Sequence, residues 1–185
     1  PRSRGLGDVY KRQFMQDVDD QYYARHDTLP YERFSPQPFI TTQRMSILYR
    51  LLRAADAGND APIVVAPWSA LLARVPARRQ VRAHTTRLEV GETIDRDVLI
   101  EKLSTAGYSR GAIVEDPGEF AVRGGIVDLF PPHHALPCRI EFFDDEIESI
   151  RDFDSASQRS QEKRAHVGAP PPQELLLSRA QIVAR

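Results

Sequence analysis

Between Glu119 and Phe153 the chain reads as four short segments of alternating character, and no other stretch constrains its fold as much. The segments lie at about 119–123, 126–130, 138–143 and 146–153. Apolar residues recur there at every second position, the period at which side chains share one face of a strand. Gly124-Gly125 separates the first two segments and Asp144-Asp145 the last two. Both pairs suit tight turns between strands, and the second predicts a hairpin. This part of the chain is therefore predicted to be an antiparallel sheet.

The same alternation sorts the side chains. On 138–143, Cys138, Ile140 and Phe142 point one way and read as core, while Arg139, Glu141 and Phe143 point the other. On 119–123, Phe120 and Val122 are predicted inward, with Glu119, Ala121 and Arg123 outward. A phenylalanine between charged neighbours is energetically misplaced if its face stays wet. Two readings of Phe143 follow. Either another part of the chain covers it, or it joins the arginines as an anchor for a partner.

A helix is predicted ahead of these strands, from about Arg96 to Ala106. Asp95 would cap it, Val98, Leu99 and Leu103 would share one face, and Gly107 would end it. Residues 81–90 read as a strand, so 81–154 is expected to form a small α+β module. Further upstream the period lengthens. Met45, Leu48 and Leu52, with Ile47 and Leu51 beside them, predict a helix from about Thr42 to Ala57, stopped by Gly58. Ile63-Val64-Val65-Ala66 is a continuous apolar run, as in a strand buried on both faces of a parallel sheet. A short helix, about Ser69 to Val75 with Ser69 as its cap, is expected next. Helix, strand and helix make an α/β lobe, expected over 14–80. Residues 155–185 turn polar and then proline-rich, and are expected to act as a linker returning to the lobe. The fold class is α/β with an inserted antiparallel module.

Residues 1–13, PRSRGLGDVYKRQ, have no amphipathic period and resemble the translated read-through of a sequencing adapter. They are set apart from the functional argument, and the natural chain is expected to begin upstream of Phe14.

Composition narrows the function. Hydrophobic residues make up 41% of the 185 residues and charged residues 28%, which is globular. The formal net charge of -1 is not that of a protein holding nucleic acid by charge alone. Cys138 is the single cysteine, so a reducing, cytoplasmic setting is expected, and no apolar run approaches the length of a membrane helix. Asp144, Asp145, Glu146 and Glu148 form an acidic cluster at a turn, where a solvated tip is the plainer account than a metal site. His133, His134 and Cys138 lack a fourth ligand and the paired spacing of a zinc centre. No G-x-x-x-x-G-K-[ST] loop occurs, so no cradle of backbone amides and lysine is available for a triphosphate. No catalytic residue, cofactor or metal is expected in this chain.

The run GEFAVRGGIVDLFPPHHALPCRIEFFDDEIESIRDFD from Gly118 to Asp154, with LPYERFSP at 29–36 and DSASQR at 154–159, resembles the N-terminal region of the bacterial transcription-repair coupling factors (Mfd), which share a related module with UvrB. The likeness runs from about Thr28 to Arg159 in one order. It implies a partial motor-like lobe without a working phosphate loop over 14–80, and a UvrA-interaction module over 81–154. It also implies UvrA as partner, met by Arg123, Arg139 and Phe143. By the same resemblance RNA polymerase, double-stranded DNA, ATP and magnesium belong to regions outside this chain. Two rivals stand beside it: a piece of UvrB, and a hydrolase built on the acidic cluster.

Overall fold

The computed structural model describes residues 20–27 and 37–174. The first strand, β1 (Asp20–Tyr22), pairs in parallel with β2 (Ile63–Val65). Between them runs α1 (Pro38–Ala57), which starts on a proline and stops at Gly58, left-handed at φ 66°. Thr42, Met45, Ile47, Tyr49 and Leu52 are among its buried residues, and Leu48 and Leu51 pack half-buried beside them. The helix thus begins four residues earlier than its apolar period suggests. The parallel pairing agrees with expectation, but burial on both faces does not. Ile63 is 45% exposed, and among the described residues β2 has β1 as its one neighbour.

Two short helices follow, α2 (Trp68–Leu71) and α3 (Arg78–Ala83). Ser69 lies inside α2 and caps nothing; the helix starts after Pro67 without a side-chain cap. The strand expected at 81–90 is a correction of a larger kind. Its first residues belong to α3, and only Thr86–Glu89 form a strand, β3. Tertiary contact overrides the local alternation. Val81 is buried against Met45, Tyr49 and Leu52 of α1, and the Gln80 side chain accepts a hydrogen bond from the Ala77 amide.

Helix α4 (Arg96–Ala106) is as the sequence predicts. The Asp95 carboxylate accepts from the amides of Asp97 and Val98, and Gly107 ends the helix at φ 98°. Its buried face is Leu99, Leu103 and Ala106, whereas Val98 turns outward. Seven strands follow among the described residues: β4 (Ser109–Arg110), β5 (Glu119–Arg123), β6 (Ile126–Leu129), β7 (Cys138–Phe143), β8 (Glu146–Phe153), β9 (Ser160–Arg164) and β10 (His166–Ala169). Strands β4 to β9 form one six-stranded sheet in sequence order, antiparallel except for the β4–β5 pair. The β6–β7 register sets Asp128 opposite Arg139.

Strand β10 pairs antiparallel with β3, and this ribbon and α4 together cover the inner face of the sheet. Leu88, Leu99, Leu103, Phe120, Val127 and Ile140, all fully buried, meet there. Gly168 on β10 permits a close approach, since a side chain at that position would meet the Tyr49 hydroxyl at 2.6 Å. The chain then returns to α1. Glu174 accepts a hydrogen bond from the fully buried Arg44 and another from Tyr23, and pairs with His26 at 3.0 Å. Arg44 also donates to the Ala24 carbonyl and lies 4.0 Å from the centre of the Tyr23 ring. No helix among the described residues is long and apolar enough to cross a membrane.

Candidate docking face

The outer face of the sheet holds all three residues singled out from the sequence. Arg123 ends β5, Arg139 is the second residue of β7, and Phe143 is its last. Phe143 is 72% exposed, so no described part of the chain covers it. It stands at the tip of the β7–β8 hairpin, opposite Glu146, where Asp144 takes a left-handed φ of 51°. The neighbouring tip, Gly124-Gly125 between β5 and β6, is tied down twice. Arg96 of α4 donates to the Gly124 carbonyl, and the Phe142 amide donates to that of Gly125. Both tips lie at the same end of the sheet, because Arg123, Ile126 and Glu141 are successive partners across β5, β6 and β7.

Asp128 organises this face, and sequence reasoning did not single it out. It is 1% exposed, and a buried carboxylate requires paired donors. Arg139 supplies two, Nε to Oδ1 at 2.7 Å and Nη2 to Oδ2 at 3.0 Å, and Arg123 supplies a third to Oδ2. The signal available was a lone acid inside the apolar run IVDLF, facing an arginine across a predicted neighbouring strand. Using it required the register, which local pattern does not supply.

The two arginines differ in freedom. The Arg139 side chain is 14% exposed and rests over the Phe153 ring at 4.7 Å. Its bond to Asp128 pushes its pKa further up. Arg123 keeps 45% of its side chain in solvent. Further along the face, Glu141 accepts from the Ser149 hydroxyl and lies 3.7 Å from Arg151. Toward the other end the face is closed by a small apolar cluster of Val114, Ala121, Phe130 and Phe153. Ala121 points outward as predicted and is nevertheless buried. The open part is thus the end carrying Arg123, Ile126, Glu141 and Phe143.

The remaining candidates lie elsewhere. Asp144, Asp145, Glu146 and Glu148 are exposed around the hairpin tip, and no three His, Cys, Asp or Glu among the described residues gather as a metal group would require. Cys138 is fully buried in the inner core, and burial pushes its thiol well up, away from the reactive thiolate. His133 packs edge-on against Tyr49 at 4.7 Å and against His134 at 4.4 Å. Burial first, then His134 ahead of nearby arginines, holds His133 down to about 3; burial and then Arg164 hold His134 to about 4. Residues 29–36 of the LPYERFSP motif lie outside the described residues.

The sheet has one packed face and one part-open face, as antiparallel sheets commonly do, and the comparisons with known proteins give its class. Residues 86–174 match the UvrB interaction domain and belong to that family; the match starts at β3 and ends at the Glu174 junction. The chain is similar to the transcription-repair-coupling factor of Myxococcus xanthus, 39% identical over 152 residues, which is 82% of this chain and 12% of the relative. The factor of Bacillus subtilis (strain 168) is 34% identical over 163 residues, 88% of this chain and 13% of the relative. That of Escherichia coli (strain K12) is 36% identical over 159 residues, 86% of this chain and 13% of the relative. The chain therefore spans about an eighth of the length of these curated relatives.

Proposed function

We propose that this chain is the part of a transcription-repair coupling factor that docks UvrA, and that it acts by binding rather than by catalysis. The observation that carries the reading is Phe143, a large aromatic left in solvent on the sheet face that carries an arginine pair already oriented by a buried aspartate. Aromatic and arginine anchors dominate protein interfaces, and rigid ones lose least entropy on binding. Arg123 and Phe143 would meet UvrA directly, and Arg139 would hold Asp128 and the sheet beneath them. The relatives named above support a coupling factor over UvrB itself. The division into a motor-like lobe over 14–80, a docking module over 81–154 and a return segment over 155–185 remains part of this proposal. So do RNA polymerase, double-stranded DNA, and ATP with magnesium as partners of regions outside this chain.

The test is binding of purified UvrA to the wild-type chain and to Phe143→Ala, with circular dichroism as a fold control. Losing an interface anchor of this kind costs about 2 kcal/mol, roughly thirtyfold in affinity. A folded Phe143→Ala chain with undiminished affinity would remove the site.

A further inference from the structure

Away from the docking face, a cleft of about 560 Å³ opens between the C-terminal half of α1, α3 and the β3–β10 ribbon. Its wall is crowded with like charge. Arg50, Arg53, Arg82, Arg87 and Arg164 all line it. Against them stand Asp56 and Asp60 in the wall, and Asp152 as the partner of Arg164. Asp56 holds Arg82 through two hydrogen bonds, and Asp152 holds Arg164 through two more. Arginines thus outnumber the carboxylates that line the cleft or pair with its arginines.

That excess falls largely on Arg53 and Arg87. Arg53 makes no ion pair among the described residues, and Arg87 has only Glu89 at 3.9 Å, both partners being more than half exposed. Arg53 and Arg87 line the same cleft as Tyr49, and the positive charge of both favours the ionised form of its hydroxyl. Two histidines of the wall, His133 and His134, do not add charge near neutrality, because they stay neutral down to about 3 and 4. Their Nδ1 atoms are buried and have no hydrogen-bond partner among the described residues. Arginines gathered round one space repel one another unless an anion sits among them. The guanidinium fork fits phosphate oxygens in pairs. A cleft of this size matches small-molecule sites, which run from about 300 to 1,000 Å³, and exceeds what a bare phosphate ion fills. Tyr49, Leu52 and Val167 give it an apolar side.

We propose that this cleft binds a small phosphate monoester, its dianionic head held by Arg53 and Arg87 and its organic part lying against Tyr49. The donors are side chains, so the missing glycine-rich loop does not bear on it. The proposal is independent of the docking reading, because the cleft and Phe143 share no residue.

Isothermal titration of the 185-residue chain with AMP, inorganic phosphate and adenosine tests it. AMP should bind saturably, phosphate more weakly, and adenosine not at all. In Arg53→Gln/Arg87→Gln, with an unchanged circular dichroism spectrum, AMP affinity should fall roughly tenfold or more, the worth of a lost charge-assisted contact. Should that variant fail to fold, the exposed Arg53→Gln alone should weaken AMP measurably. On the wild type, AMP should also shift the His133 and His134 ring signals in NMR spectra. No saturable binding of AMP or phosphate, equal affinity in the variants, adenosine binding as well as AMP, or binding of duplex DNA without AMP would each overturn the proposal.

Discussion

The two faces of the six-stranded sheet come from the same strands and the same alternation, yet they are built to opposite ends. The inner face joins fully buried side chains from α4, the β3–β10 ribbon and four strands into one apolar core. The outer face has a small apolar cluster at one end, a buried ion network on Asp128 in the middle, and an uncovered Phe143 at the other. One face stores the stability of the module and the other holds a surface in a fixed shape. A period of two decides which residues share a face; what later covers that face decides which of the two tasks it performs.

This contrast predicts a gradient of stability effects. The steepest belongs to the inner face. Phe120→Ala, at a fully buried position, should cost about 4 kcal/mol through lost transfer energy and a cavity, read from urea denaturation. A loss below about 1 kcal/mol there would mean that the inner face is not the principal core. Asp128→Ala should come next, at about 3 kcal/mol, because it leaves the largely buried Arg139 without its partner. Arg123→Ala should cost far less, its side chain being half in water. If the two variants were equal, the network would be a surface pair and the outer face would lack its brace.

Acid distinguishes the sides as well. The inner side abuts Tyr49 and, through it, His133 and His134, whereas the outer face carries no histidine among the described residues. Both imidazoles sit below their ordinary 6.5 in the folded chain, so unfolding takes up protons. Stability present above pH 6.5 is then lost as pH falls toward about 4 and 3. Allowing for their partial exposure, the drop from neutrality to mildly acid solution should be about 1 kcal/mol. His133→Asn/His134→Asn should flatten that slope in denaturation curves taken across the range; an unchanged slope would place the titration elsewhere. The smallest effect belongs to Phe143→Ala, whose stability should stay within about 0.5 kcal/mol of wild type. A larger loss would show that Phe143 is core and that the two faces are not distinct in the way described.

The sheet was legible because its strands carry their own register marks. Gly124-Gly125 and Asp144-Asp145 fall where the turns are, and Asp95 and Gly107 mark both ends of α4. Strand β9, SQEKR, was not legible: all five residues are exposed, so no apolar alternation betrays it, and it forms by backbone pairing with β8. Helix α3 was hidden for the opposite reason, a strand-like pattern overruled by the packing of Val81 on α1. Of the candidate site, the side on which Arg123, Arg139 and Phe143 point was readable from spacing. The bond network that immobilises Arg139 was not, because Asp128 and Arg139 are eleven residues apart and meet only through register.

The junction at Glu174 has a mechanical consequence. It ties the chain just after β1 to the chain just after β10, through Tyr23, His26 and Arg44. Tension drawn between those two points would load a cluster of ionic contacts first, and the sheet, its helix and both hairpin tips would hang in the slack beside it. Under a steady pull the outer face of the sheet should therefore keep its shape until the junction parts. Arg44→Met, which removes the central strut, should make the sheet bear force directly and give way at a lower rupture force in single-molecule stretching between positions 23 and 174.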